Sequence, residues 1–280
     1  MKGLMFMSMV AAGVFAPLLS VGGAGMRASI ECEGVYPYHP QGVATDGTNI
    51  YWSFTTVIAK TDLEGRVLAR FEGCGDWSGH IGDLCCHGGK LYASINRGFR
   101  RGLRVGDEVW TFDGDLKPVA RHSTREMVWC NNGLAWANGS FWLVTSAPTH
   151  GIYNYLYEYA EDFRFKRCVT LASGWTNLGV QTILAHDGKL LLGCYGASKD
   201  EVSPHPDTVL VVDLEELGPC TPNDHAAPVR CAARLPLSAA CGMLTLDGAF
   251  MTLRSVRLPD LEPKRQRWTA RLVPQELVRP

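Results

Sequence analysis

The stretch HPQGVATDGTNIYW, residues 39–52, decides the fold class of this sequence. It holds two runs of strand-forming residues, 42–45 and 49–52, on either side of an Asp46-Gly47 pair. Asp-Gly between two such runs is the strongest short-range signal for a β-hairpin. The stretch therefore predicts two antiparallel strands joined by a tight turn.

Four weaker copies of this hairpin follow along the chain. Each copy opens on a glycine and turns on a second one, and the turn glycines of all five units are Gly47, Gly89, Gly139, Gly188 and Gly248. A period of about 40–60 residues with several short strands per unit is typical of propeller blades. We therefore expect an all-β fold, a β-propeller in which five blades are counted and six are possible.

Further strand-like runs follow each hairpin. Unit one continues with residues 57–62 and 67–71, and unit four with residues 209–214 and 229–235. Unit five ends after a third run at 268–273, so residues 28–33 could supply its missing strand. A ring closed by strands from both termini leaves no exposed sheet edge.

The first 25 residues differ from the rest of the chain. Lys2 precedes an uncharged apolar stretch at residues 4–19, and small residues follow at 22–25. This is the layout of a secretory signal peptide, with cleavage near residues 23–26. An uncleaved membrane anchor is the alternative, although the stretch is short for a span of about 20 residues. We expect a single propeller domain over residues 26–280, secreted or periplasmic and free of the membrane after cleavage.

Composition limits the partners of the protein. The formal net charge of the 280 residues is −1, so bulk electrostatics favours neither nucleic acid nor an anionic membrane as a partner. An exported compartment permits disulfides among the ten cysteines. Cys220 and Cys231 flank a polar loop and are the most plausible pair, while burial as apolar thiols is the alternative for most of the others.

The first unit resembles the NHL and SMP-30-like β-propellers. Their repeats open with Pro-x-Gly-[Ile/Val]-Ala-x-Asp-Gly and close on Lys-x-Asp-x-x-Gly, which is matched here by Pro40, Gly42, Val43, Ala44, Asp46, Gly47, Lys60, Asp62 and Gly65. The Gln41-Gly42 pair and the five units are also similar to the glutamine-cyclotransferase type of propeller. The resemblance covers nearly the whole mature chain as architecture.

The functional residues of these families match less well. SMP-30-like lactonases hold a divalent metal with an acidic residue, asparagines and an aspartate at the starts of inner strands. Asn131 or Asn132 matches one asparagine, but His39 stands where unit one would need an acid. The cyclotransferase type relies on inner carboxylates, of which Asp83 is the one candidate, because Gln181 stands where unit four would need a glutamate.

Polar residues recur where each inner strand begins. In a propeller these positions converge on one mouth, so they form a ring although they are far apart in sequence. Together with two tryptophans that precede inner strands, they predict a site for a small polar ligand, such as a saccharide, at the mouth of the central channel. The ligand-binding candidates are His39, Gln41, Trp129, Asn131, Asn132, Trp175, Asn177, Gln181 and Cys241.

Other readings of the ring stay open. His39, His80 and Asp83 carry donors suited to zinc or another first-row metal, so a divalent metal is possible although no cofactor is certain. His80 or Asp83 could be catalytic, as the general base of a hydrolase, lactonase or lyase. The ring could instead be structural, hydrogen-bonding strand ends or channel water. In a third reading the protein is a scaffold whose long loops in units two and four bind a protein partner.

Overall fold

The computed structural model describes residues 28–73, 80–97, 99–100, 103–104, 106–146, 152–196, 205–218, 227–259 and 266–277. The predicted signal segment, residues 1–25, lies outside these ranges. Within them, no helix has the length and apolar character needed to cross a membrane. One turn of 3-10 helix, Glu215–Leu217, interrupts the strands.

The described strands form five antiparallel blades, which confirms the predicted all-β, five-bladed propeller. Strand β1 (Ile30–Pro37) precedes the first blade. Blade 1 comprises, from the axis outward, β2 (Pro40–Thr45), β3 (Ile50–Phe54), β4 (Val57–Thr61) and β5 (Val67–Glu72). Blade 2 comprises β6 (His80–His87), β7 (Lys90–Asn96), β10 (Glu108–Phe112) and β11 (Pro118–Ser123), with the hairpin β8 (Phe99–Arg100) and β9 (Leu103–Arg104) inserted before β10.

The remaining blades repeat this order. Blade 3 comprises β12 (Asn131–Ala137), β13 (Ser140–Thr145), β14 (Asn154–Tyr159) and β15 (Phe165–Ala172). Blade 4 comprises β16 (Asn177–His186), β17 (Lys189–Tyr195), β18 (Thr208–Asp213) and β20 (Ala233–Leu235), and β19 (Val229–Arg230) lies between β18 and β20 in the chain. Blade 5 comprises β21 (Met243–Leu246), β22 (Ala249–Leu258), β23 (Arg267–Pro274) and, outermost, β1.

The run predicted as the fourth strand of unit four, residues 229–235, is divided between two blades. β19 pairs in parallel with β15 of blade 3, with Val229 opposite Leu171. Only β20 joins blade 4, opposite Val209–Val211 of β18. Val229 packs against the apolar cluster between blades 3 and 4, and its strand covers an edge of blade 3 that would otherwise lack a partner.

The ring is closed by strands from both ends of the chain, as predicted. β1 pairs antiparallel with β23, and Ile30 lies opposite Leu272. The same strand reaches blade 1, because the Glu33 carboxylate accepts the main-chain N–H of Val67 at 2.9 Å. The Tyr36 ring also stacks on Phe54, with 3.9 Å between ring centroids. β1 therefore joins the last blade to the first.

The hairpin that opens the fold is held by its turn. The Asp46 carboxylate accepts the main-chain N–H groups of Thr48 and Asn49 at 2.8 and 2.7 Å. Gly47 has a φ of +89°, a conformation that glycine adopts without steric cost. β3 is buried along its whole length, because each sheet packs against a neighbouring blade on both faces.

Glycines and one carboxyl group fill the axis, where a channel was expected. A Cβ on Gly42 would lie 2.4 Å from the Cα of Asp83, so the inner strands of blades 1 and 2 are in direct backbone contact. The Asp83 carboxyl accepts the main-chain N–H groups of Val43 at 3.2 Å and Ile183 at 3.0 Å. It therefore connects the inner strands of blades 1, 2 and 4.

We expect Asp83→Ala to lower the free energy of unfolding by about 2–6 kcal/mol, since it leaves two buried N–H groups without an acceptor at roughly 1–3 kcal/mol each. Urea denaturation followed by tryptophan fluorescence measures this loss. The matched control is Asp115→Ala, whose side chain is exposed on a turn and should cost at most about 0.5 kcal/mol. Equal losses in the two variants would contradict the role of Asp83.

Candidate functional site

The predicted ring residues lie on one face of the molecule, which we name the upper face and define as the face where the inner strands begin. His39 directly precedes β2, and His80 is the first residue of β6. Asn131 and Asn177 open β12 and β16, and Cys241 lies just before β21. The residues of this face divide into several groups with different hydrogen-bond partners.

The first group comprises His39 and Gln41 of blade 1 and His80 of blade 2. Gln41 Nε2 lies 3.0 Å from His39 Nε2 and 3.4 Å from the hydroxyl of Thr55. The ring of His39 also lies against Trp268 of blade 5, with 5.9 Å between centroids. His39, Gln41 and His80 are each half-buried, so each side chain keeps part of its surface accessible.

Both imidazoles of this group are uncharged at neutral pH. Burial lowers the pKa of His39 below its ordinary value. Burial, and after it the nearby His39, lower the pKa of His80, while the Asp107 carboxylate opposes this shift. A neutral imidazole has one N–H donor and one acceptor nitrogen, so the pair offers both kinds of hydrogen bond.

Asp83, predicted as a catalytic residue, does not face the mouth. Its side chain is 1% exposed, and its oxygens are bound by main-chain groups at the axis. Burial outweighs the N–H donors of Ile183, Leu84 and Val43 and raises the pKa of Asp83 to about 8. The expected general base is therefore a buried, mainly protonated acid that supports the ring.

The predicted metal ligands His39, His80 and Asp83 do not form a metal site. In the part of the chain that the structure describes, no group of three His, Cys, Asp or Glu side chains could hold a metal ion. The Asp83 oxygens already accept main-chain N–H groups, so they are not directed toward the two histidines. The divalent metal implied by the SMP-30-like resemblance does not fit these residues.

The asparagines at the start of β12 bond to neighbouring blades. Asn132 Nδ2 donates to the carbonyl of Val180 in blade 4 at 2.9 Å. Asn131 Nδ2 donates to the carbonyl of Glu108 in blade 2 at 3.2 Å. Asn131 is completely buried, and its Oδ1 has no hydrogen-bond partner among the described residues. The structural reading of the ring therefore describes Asn132, while Asn131 keeps one unused acceptor.

The remaining polar candidates make contacts within blade 4 or between blades 4 and 5. Asn177 Nδ2 donates to the carbonyl of Gly196 at 2.8 Å, and Gln181 Nε2 to that of Leu178 at 2.9 Å. The Tyr195 hydroxyl lies 3.8 Å from the Cys241 sulfur, and burial raises the pKa of this thiol. These side chains mainly stabilise their own part of the ring.

The two tryptophans lie on the upper face over blades 3 and 4. Trp129 is 40% exposed and follows Val128, which is also exposed. Trp175 stacks on His205, with 4.3 Å between ring centroids. A third tryptophan that precedes an inner strand, Trp77, lies outside the described residues.

Two aspartates of this face were missed in the sequence, Asp107 and Asp207. Each directly precedes the third strand of its blade and accepts the main-chain N–H of the residue that follows the second strand, Arg97 at 2.9 Å and Gly196 at 2.8 Å. The second oxygen of each reaches toward the next blade, to the Asn131 N–H and to the Ser238 hydroxyl. Aligning third strands, instead of inner strands, would have shown this repeated aspartate.

None of the eight described cysteines forms a disulfide. Cys220 lies outside the described residues, so its pairing with Cys231 stays a prediction.

Comparisons with known proteins give no family. No family model and no curated protein matches the chain. Solved structures with similar folds include a nidogen/laminin complex, at 11% identity over 76% of this chain and 70% of that chain, with a TM-score of 0.45. A quinohemoprotein alcohol dehydrogenase from Comamonas testosteroni is 11% identical over 84% of this chain and 40% of its own, with a TM-score of 0.44.

A protein of unknown function from Bacteroides caccae is 11% identical over 79% of this chain and 68% of its own, with a TM-score of 0.43. The chain thus spans well under half the length of the dehydrogenase. Likenesses of this size carry no argument about function. The propeller assignment rests on the strand order within the five blades themselves.

We predict a pH dependence of stability that comes from Asp83. The folded chain holds the Asp83 proton up to about pH 8, whereas the unfolded chain releases it near 3.8. The contribution of Asp83 to the free energy of unfolding is therefore largest below pH 3.8. It falls as the pH rises to about 8, by at most about 1.4 kcal/mol per pH unit. The amide in Asp83→Asn cannot ionise, so this variant should lack the decrease in the free energy of unfolding between pH 3.8 and pH 8. Urea denaturation at pH 5 and pH 7 compares the two proteins, and identical slopes would contradict the assignment.

Proposed function

We propose that this protein is an exported β-propeller that binds a small polar ligand, such as a saccharide, on its upper face. The observation that carries the proposal is the half-buried group of His39, Gln41 and His80. Fully structural side chains of this ring, such as Asp83 and Asn132, are buried and bonded to main chain. The histidine group differs from them because its side chains are only half-buried.

The chemistry of this group suits hydroxyl groups. Neutral imidazoles and a primary amide can each donate and accept hydrogen bonds, which matches the dual character of a sugar hydroxyl. Trp129 and Trp175 lie on the same face and add flat apolar surface of the kind that packs against a sugar ring. Few convergent polar groups beside apolar surface are typical of a small-molecule site.

An enzyme of the hydrolase, lactonase or lyase kind is the second candidate. One observation favours it: the Asp107 carboxylate accepts the main-chain N–H of Arg97, the residue after the strand partner of His80, and so lies near this imidazole. A carboxylate beside an imidazole is an arrangement that general-base catalysis uses. In this reading His80 is the base, and Asp83 has no part in the chemistry.

Export rests on the signal-like residues 1–25. The scaffold reading rests on long loops, and those in units two and four lie largely outside the described residues. Export and the scaffold function are therefore proposed from the sequence alone.

We expect the double variant His39→Ala/His80→Ala to bind D-glucose at least about tenfold more weakly than the natural chain. It removes two hydrogen bonds of about 1 kcal/mol each, and 1.4 kcal/mol corresponds to a factor of ten. Ligand-observed NMR titration with D-glucose as the probe gives both dissociation constants.

The matched control is His186→Ala, because His186 ends β16 at the opposite end from the upper face and bonds to Thr245. This variant should bind D-glucose as the natural chain does. Binding that survives in the double variant would contradict the proposed site.

A further inference from the structure

The strand geometry of blade 5 places Arg254 at the boundary between blades 4 and 5. Phe250, four residues earlier in β22, packs in the apolar cluster that these two blades share. Because side chains alternate along a strand, Arg254 points to the same side, toward blade 4. The main-chain N–H of Leu253 donates to the carbonyl of Gly242 at 2.9 Å. Arg254 therefore stands across from Cys241 at the upper end of blade 5.

Blade 4 presents a phenol to the same boundary. Leu191 belongs to the shared apolar cluster, so Tyr195, four residues later in β17, points toward blade 5. The Tyr195 hydroxyl lies 3.8 Å from the Cys241 sulfur. Burial raises the pKa of this thiol, and the Tyr195 hydroxyl and the charge of Arg254 oppose the rise. Arg254 and Tyr195 therefore both lie beside Cys241.

The charge of Arg254 is not matched from either blade. Among the residues that the structure describes, its guanidinium has no ion pair and no hydrogen bond. Asp207, the carboxylate that blade 4 brings to this boundary, accepts the main-chain N–H of Gly196 at 2.8 Å and the hydroxyl of Ser238 instead. Arg254 is half-buried, and burying a charge without a partner costs free energy. An anionic ligand would remove this cost.

The donors at this boundary suit a carboxylate. A guanidinium presents its N–H groups in a fork that matches the two oxygens of a carboxylate. Burial raises the pKa of Tyr195 above its ordinary value, so its hydroxyl keeps the proton that it can donate. Arg254, Tyr195 and Cys241 are each half-buried, so part of their surface is accessible. One guanidinium also matches the single negative charge of a carboxylate.

We propose that Arg254 and Tyr195 form a subsite on the upper face that binds the carboxylate of a small polar ligand, such as a hexuronate. The guanidinium neutralises the carboxylate, and the phenol O–H donates a further hydrogen bond to it. The histidine group has no part in this subsite. The inference therefore goes beyond the proposed function and can be tested separately from it.

The test compares D-glucuronate with D-glucose, which carries a CH₂OH group in place of the carboxylate, by ligand-observed NMR titration. We expect the natural chain to bind D-glucuronate at least about tenfold more tightly, because hydrogen bonds between charged partners are about twice as strong as neutral ones. Arg254→Gln removes the charge and should bring the two dissociation constants to within about threefold of each other. Tyr195→Phe removes one donor and should weaken the binding of D-glucuronate by about threefold or more.

The matched control is Arg271→Gln. Arg271 lies directly opposite Arg254 in β23, but its side chain is exposed and its guanidinium lies 3.8 Å from Glu31 Oε1. This variant removes the same charge from the same blade, so its preference for D-glucuronate should stay unchanged. An equal loss of preference in both variants would reveal a diffuse effect of positive charge and would overturn the subsite. Arg254→Lys keeps the charge and should retain part of the preference.

Failure of the subsite and failure of the proposed function give different results. Equal binding of the two sugars by the natural chain, with both lost in His39→Ala/His80→Ala, would overturn the subsite and retain the proposed function. A preference for D-glucuronate that requires Arg254, with D-glucose binding that survives in the histidine double variant, would do the reverse. Binding of neither sugar would overturn both. The comparison in the natural chain requires no variant, so the subsite can be overturned even if Arg254→Gln does not fold.

Discussion

The hydrogen bonds of one buried carboxyl group hold the inner strands of blades 1, 2 and 4 together at the axis. Asp83 of blade 2 accepts main-chain N–H groups of Val43 in the neighbouring blade 1 and of Ile183 in blade 4. Glycines must flank it, since a Cβ on Gly42 would fall within 2.4 Å of its Cα. The glycines that open units one to three, Gly42, Gly82 and Gly133, are therefore required by the crowded axis as well as by the strand start.

A second constraint acts at the boundaries between blades. In blades 1 to 4, a residue at or shortly before the start of the third strand forms a hydrogen bond to the beginning of the next inner strand or to the segment before it. These residues are Thr55, through its carbonyl, and Asp107, Asn154 and Asp207, through their side chains. Strand ends leave unpaired main-chain groups, and burying them without partners would be costly. The upper face is rich in polar residues partly for this reason, so polarity alone does not mark a binding site there.

The fold was predictable because turn glycines and apolar runs are local signals. The Asp46-Gly47 hairpin and its four copies predicted the blades, and the missing strand of unit five predicted the role of β1. The division of residues 229–235 between two blades was not predictable, because it depends on the uncovered edge of β15. For the site, the strand order predicted that the candidate residues lie on the upper face. It did not predict the direction in which each side chain points.

Asp83 and His80 illustrate this difference. Both stand near the start of one inner strand, three positions apart, and no sequence pattern distinguishes their side-chain directions. The register shift between Ile81 and Leu84 turns Asp83 to the axis, while His80 stays half-buried at the mouth. Asp107 was missed because it follows an insertion that hides its equivalence to Asp207.

The pairing of β1 with β23 has a consequence for biosynthesis. Residues 30–37 leave the ribosome before any blade, yet their partner, residues 267–274, is made after all the other described strands. The nascent chain must keep this early strand from pairing elsewhere while four blades assemble without closure. Emergence of residues 267–274 from the ribosome is thus the earliest moment at which the circular arrangement can lock, and a chain truncated before β23 would remain an open arc.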